Sequence, residues 1–131
     1  MNTYFKPVPM PTEEELAAHS AWIASRKVDS FALFPPDVKA RIQPAIDELI
    51  SLSIQDADLS GSFARGDYCM NEDDVAFKTI ALKWAQISDV DVVIYDKEFT
   101  PPVLSDYFTL ERSQGMRDKN LIPIVRNGKI I

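Results

Sequence analysis

The segment Asp89–Tyr95, DVDVVIY, constrains the fold of this chain more than any other feature. Its β-branched and aromatic residues favour a β-strand. Because side chains alternate across a strand, the apolar residues at positions 90, 92 and 94 share one face, and Asp89 and Asp91 share the other. The apolar face is suited to a protein core. The sequence therefore predicts a sheet with one buried face and two carboxylates on the opposite face.

Helical patterns alternate with further strand-like segments. Thr12 and Glu15 have the spacing of a capping box and predict a helix that starts at Thr12 and packs on the surface. Pro44 interrupts a second helical pattern and predicts a kink or a restart there. Further predicted elements are helices over 37–53, 71–85 and 103–114, and strands over 54–60 and 121–125. This alternation predicts the α/β (α+β) class, with a small mixed sheet flanked by helices.

The length of 131 residues predicts a single domain, 1–131. Within it we expect an N-terminal arm and helices over 1–43. A core over 44–131 would follow, with a helix inserted at about 71–86. An exposed face at Phe77 and Trp84 of that helix would indicate a homodimer.

Composition excludes several classes of protein. No run of 18 apolar residues is present, so we expect no membrane span. The first residues lack a signal pattern, and a single cysteine, Cys69, suits a reducing compartment, so we expect a cytoplasmic protein. The net charge of −6 argues against broad non-specific binding to nucleic acid. Arg126 belongs to a more basic C-terminal quarter, interpreted as a solvated face.

Two interpretations fit the aspartates of the strand. Asp89 and Asp91 would lie about 7 Å apart along it, and two such carboxylates repel unless a positive group joins them. Mg²⁺ is one such group, because it prefers oxygen ligands and shares them with phosphates. Alternatively, Asp89 bonds to a loop and Asp91 pairs with an arginine. Gly61 and Ser62, at the end of a predicted strand, favour a phosphate site beside a metal.

The segments GSFARG, 61–66, and SDVDVVIY, 88–95, together resemble the motifs of minimal nucleotidyltransferases in the DNA polymerase β superfamily. The resemblance covers residues 44–131 and implies a fold like the polymerase β palm. It implies that the catalytic residues Asp89 and Asp91 hold Mg²⁺ (or Mn²⁺). It also implies that Gly61, Ser62 and Arg65 bind a nucleoside triphosphate, expected to be ATP. The implied activity is transfer of a nucleotidyl group to a hydroxyl acceptor.

The chain departs from the family pattern in two places. Residues 63–88 separate Ser62 from the first aspartate, a much longer segment than is usual, and its helix could form a pocket wall, a lid or a dimer contact. Active members also have a third carboxylate on a following strand. The expected strand, 121–126, has no acidic residue. Asp106, Glu111 and Asp118 lie nearby, with no geometric reason to choose among them.

These departures leave three hypotheses. The chain could be a nucleotidyltransferase that receives its acceptor with help from a partner chain, a homodimer contact or its own N-terminal part. It could be a degenerate member without turnover, acting as a binding or regulatory partner like the antitoxins of toxin–antitoxin pairs. It could also be an unrelated α/β domain, in which case Ser62 would lie far from the two aspartates.

Overall fold

In the computed structural model, residues 10–81, 85–96 and 120–131 are described in full and residues 108–112 as backbone. Within these ranges the helices are α1 (Glu13–Arg26), α2 (Pro36–Ser51), α3 (Gly61–Arg65) and α4 (Glu72–Ala81), with a 3-10 turn at Phe31–Leu33. The strands are β1 (Asp56–Ser60), β2 (Val90–Ile94), β3 (Phe108–Arg112), β4 (Ile122–Arg126) and β5 (Lys129–Ile130). This mixture of helices and strands confirms the predicted class.

The described strands form one five-stranded mixed sheet in the order β3-β2-β1-β4-β5. Strand β1 lies in the middle and is antiparallel to both β2 and β4, whereas β2 and β3 run parallel. The register places Ser60, the last residue of β1, opposite Asp91 of β2. The ends of the two motif-bearing segments therefore meet at one end of the sheet.

Helix α2 covers the apolar face of the sheet. Its buried residues join the apolar residues of β1, β2 and β4 in one core, including Val90, Val92 and Ile94 as predicted. The expected restart at Pro44 is wrong, because Pro36–Ser51 is one helix. Ile42 and Ile46, on either side of Pro44, are fully buried. Burial on both sides offsets the roughly 3 kcal/mol cost of an internal proline. The expected division of the chain at 43/44 falls inside this helix.

Helix α1 lies on the surface and packs against α4. The predicted capping box is present: the Glu15 amide donates to Thr12 Oγ1 at 3.1 Å, and the Thr12 amide donates to Glu15 Oε1 at 3.0 Å. No residue of α1 is buried. Trp22 of α1 contacts Phe77 of α4, with ring centroids 5.4 Å apart, and Phe77 is half-buried. Trp84 lies outside the described residues.

Two predicted elements need correction. The helix expected over 103–114 is wrong for 108–112, which form β3, because parallel pairing with β2 satisfies their backbone; the remaining residues of that range lie outside the described part. Residues 85 and 86 are not helical.

Among the described residues, no helix has both the length and the apolar content needed to cross a bilayer.

Candidate functional site

The two motifs meet in one pocket of about 220 Å³. It lies where β1 passes into α3 and where the chain enters β2. Its lining residues are all polar or charged: Ser62, Arg65, Lys78, Gln86, Ser88, Asp89 and Asp91. Four of the five predicted site residues thus line one pocket: Ser62, Arg65, Asp89 and Asp91. The separation that an unrelated domain would show is not observed.

Gly61 brings the start of α3 against the carboxylate of Asp91. Its φ of +67° lies in the left-handed region that residues with a side chain rarely adopt. A Cβ atom at this position would collide with Oδ2 of Asp91. The glycine predicted to approach a ligand therefore has a structural role as well, since it permits contact between the β1–α3 turn and the second aspartate.

Ser88 fixes the approach of the chain to β2. Its amide donates to the Cys69 carbonyl at 2.9 Å, and the Cys69 amide donates to Ser88 Oγ at 2.8 Å. Arg41 of α2 donates to the Ser88 carbonyl at 3.0 Å. These bonds anchor the residue before Asp89. Ser88 belongs to the predicted motif, but sequence reasoning assigned it no role of its own.

Two cations line the same pocket as the aspartates. Arg65, whose side chain is half exposed, has Nε 3.3 Å from Asp67 Oδ1. Lys78 of α4 donates from Nζ to the Asp67 carbonyl at 2.7 Å and lies 3.5 Å from Asp67 Oδ2. Sequence reasoning missed Lys78, because a lysine within a helix normally extends into solvent. Helix α4 therefore forms a wall of the pocket, one of the three roles considered for the insertion.

A second Asp-x-Asp sequence, Asp56–Asp58 on β1, forms a salt bridge instead. Arg126 donates from Nη1 to Asp56 Oδ1 at 2.7 Å and from Nη2 to Asp58 Oδ1 at 2.5 Å. Tyr95 donates its hydroxyl to Asp58 Oδ2 at 2.7 Å. The interpretation of Arg126 as part of a solvated face is therefore wrong. Arg126 therefore pairs with the Asp-x-Asp sequence of β1.

The donor set of the pocket fits a hard divalent cation that arrives with phosphates. Within the described ranges, no group of three or more histidine, cysteine, aspartate or glutamate residues could hold a metal ion. Mg²⁺, however, is often held by one or two carboxylates together with substrate phosphates. Asp89 and Asp91 supply the carboxylates, and Ser62, the residue after Gly61, lines the same pocket.

The strand beside β2 carries one of the candidate third carboxylates. Strand β3, rather than 121–126, is the strand that follows β2 in the described chain and pairs with it. Glu111 of β3 is in register with Val93, and Thr109 with Asp91. Asp106 and Asp118 lie outside the described residues. Glu111 is thus the candidate whose backbone position relative to Asp91 is defined.

The chain matches no family model, and no curated protein or solved structure matches it. A function therefore has to be inferred from the residues of the chain itself. The arrangement of the two motifs around one polar pocket provides the basis for that inference.

Proposed function

We propose that this protein has a nucleotidyltransferase fold and transfers a nucleotidyl group from a nucleoside triphosphate to a hydroxyl acceptor. The observation that supports the proposal is the shared pocket of Ser62, Asp89 and Asp91, with Gly61 against Asp91. ATP is the expected triphosphate, with Mg²⁺ or Mn²⁺. The acceptor is a hydroxyl group of a protein, an RNA or a small molecule.

Each pocket residue has a role in this proposal. Asp89 and Asp91 would hold the metal ion, which supplies positive charge to the phosphoryl oxygens when bound. Ser62 would donate its hydroxyl to a phosphate oxygen, and Arg65 would donate from its guanidinium group. Ser88, anchored to Cys69, would keep Asp89 in position. Such a site acts by positioning and by neutralising charge, so it needs no histidine.

The proposed reaction is a displacement at the α-phosphorus. The acceptor oxygen forms a bond to the α-phosphorus, and the bond from that phosphorus to the oxygen bridging the β-phosphate breaks. Pyrophosphate leaves with the electrons of that bond. The proton of the acceptor hydroxyl passes to a carboxylate, for which Glu111 is our candidate because β3 pairs directly with β2.

A second candidate function is binding without turnover. The observation that favours it is the absence of a third metal-ligating side chain near Asp89 and Asp91 among the described residues. A nucleotidyltransferase-fold protein that has lost turnover would bind a nucleotide or a protein partner, in the manner of an antitoxin. It would transfer no nucleotidyl group. The two functions differ in whether a third carboxylate completes the site.

Transfer of a label from α-³²P-ATP tests the proposal. The acceptors would be total RNA and protein from cells that contain this chain, and calorimetric titration with ATP and Mg²⁺ would measure binding. We expect the wild type to bind and to label an acceptor, Glu111→Gln to bind without labelling, and Asp89→Asn/Asp91→Asn to do neither. Binding without labelling by the wild type would favour the second function. No binding by the wild type would overturn the first.

A further inference from the structure

We propose that Lys78, supplied by the inserted helix α4, binds the polyphosphate chain of the ligand. This inference rests on the proposed function and adds a residue to its site. It also gives the insertion a specific role, since α4 would bring a cation to face the aspartates that hold the metal.

The placement of Lys78 is unusual for a helical lysine. Its side chain is only 10 % exposed and lines the same pocket as Asp89 and Asp91. Burial of a charged group is costly unless that group is paired. The described partner of Lys78 is Asp67, which it meets through both the carbonyl and the carboxylate oxygen. Pairing with Asp67 therefore offsets part of the desolvation cost of burying the Lys78 ammonium group.

The contacts of Lys78 leave part of its hydrogen-bonding capacity for a ligand. An ammonium group has three N–H donors. One donor serves the Asp67 carbonyl at 2.7 Å, and the carboxylate at 3.5 Å is an ion pair beyond hydrogen-bonding distance. Asp67 also holds Arg65, with Nε at 3.3 Å. One carboxylate thus positions two cations at the pocket before any ligand arrives, which lowers the cost of ordering them on binding.

The charges of the pocket indicate which ligand these cations recognise. Asp89 and Asp91 would repel an anion, and a divalent metal ion reverses that effect. With a metal ion on Asp89 and Asp91, Lys78 and Arg65 would add two further positive charges to the same pocket, which suits a chain of phosphates. Lysine binds phosphate as a compact point charge. A polyphosphate with Mg²⁺ should therefore depend on Lys78, whereas a nucleoside without phosphates should not.

Calorimetric titration with inorganic tripolyphosphate and Mg²⁺ tests this directly. We expect Lys78→Met to weaken binding about 10- to 100-fold, the value of one hydrogen bond to a charged group. Lys129→Met is the matched control, because Lys129 is exposed on β5 at the far edge of the sheet. Its binding should equal that of the wild type.

A second variant separates ligand binding from folding. Lys78→Met alone leaves Asp67 without its buried partner and is expected to lower the melting temperature. Asp67→Asn/Lys78→Met removes both members of the pair. It should regain stability while its affinity for tripolyphosphate stays low. Recovery of affinity in this double variant would show that Lys78 only offsets Asp67, and would overturn the inference.

Two further results would separate a failure of the role of Lys78 from a failure of the proposed function. Wild-type affinity in both Lys78 variants, with binding lost in Asp89→Asn/Asp91→Asn, would overturn the role of Lys78 and leave the function standing. Failure of the wild type to bind either tripolyphosphate or ATP with Mg²⁺ would overturn both.

Discussion

Two Asp-x-Asp sequences lie on adjacent strands of this protein, and different groups surround each of them. Asp56 and Asp58 on β1 are both bonded to Arg126, and Asp58 is only 2 % exposed. Asp89 and Asp91, at the start of β2, line a polar pocket with Ser62. The first pair forms an ion-pair network with Arg126, whereas the second pair contributes its carboxylates to the lining of the pocket.

The difference arises from the neighbouring elements and not from the local sequence. Strand β4 places Arg126 in register with Asp56, so a guanidinium group lies directly beside the first pair. The second pair lies at the end of the sheet where Gly61 begins α3, and the cations there are held by Asp67. The same local sequence, Asp-x-Asp, thus occurs in two different surroundings, a salt bridge on β1 and a polar pocket at the start of β2.

The largest expected effect concerns the first pair. Arg126→Met would remove the guanidinium group that bonds both Asp56 and the buried Asp58, and we expect it to lower the free energy of unfolding by about 3 kcal/mol. Urea denaturation measures this. Arg65→Met is the control, because the Arg65 side chain is half exposed, and its cost should stay below about 1 kcal/mol. An equal loss of free energy of unfolding in the two variants would contradict the structural role assigned to Asp56 and Asp58.

A smaller effect is expected at the turn beside the second pair. Gly61→Ala forces a side chain into the left-handed region and against Asp91, so we expect a loss of about 2 kcal/mol and weaker binding of ATP with Mg²⁺. Gly128→Ala is the matched control: its φ is +73°, but its new Cβ would meet only the flexible Gln55 side chain. This control should cost about 1 kcal/mol and leave binding unchanged. Unaltered binding in Gly61→Ala would show that the turn does not shape the site.

The smallest expected effect is a dependence of stability on pH that arises from Cys69, the residue that anchors Ser88. Burial raises the pKa of the Cys69 thiol above its usual value of 9.0. A raised folded-state pKa gives stability that is complete below the unfolded-state pKa and is lost as the pH rises through the folded-state value. We therefore expect stability to fall as the pH is raised above about 9.

Comparison with Cys69→Ala isolates the thiol. Burial also raises the pKa of Tyr68 above 10.0, so part of the decline should remain in the variant. Denaturation between pH 7 and 10.5 should show a shallower decline for Cys69→Ala than for the wild type. Identical slopes would mean that Cys69 does not ionise on unfolding in this range.

The features that local pattern could predict are those fixed by short stretches of chain. Strict alternation in DVDVVIY correctly assigned the buried and polar faces of β2. The Thr12 capping box was also predicted, from two residues three positions apart. The meeting of Ser62 with Asp89 and Asp91 followed from reading two motifs together, although 26 residues lie between them.

The features that local pattern could not predict depend on contacts between distant residues. Strand β3 exists because it pairs with β2, and its sequence alone suggested a helix. The salt bridge of Arg126 with Asp58 joins residues 68 positions apart. The burial of Lys78 depends on Asp67 and on the way α4 packs against α1. In each case a tertiary contact overrides the local preference.

Thermal denaturation with ATP, with and without Mg²⁺, tests the central claim most directly. Three proteins should be compared: the wild type, Asp89→Asn/Asp91→Asn, and Asp56→Asn from the first pair as control. Ligand at a hundred times its dissociation constant adds about 2.7 kcal/mol, or several degrees in Tm. We predict a rise that requires Mg²⁺ in the wild type and in Asp56→Asn, and no rise in Asp89→Asn/Asp91→Asn. An equal rise in all three proteins, or no rise in the wild type, would contradict the assignment of the second pair as the nucleotide and metal site.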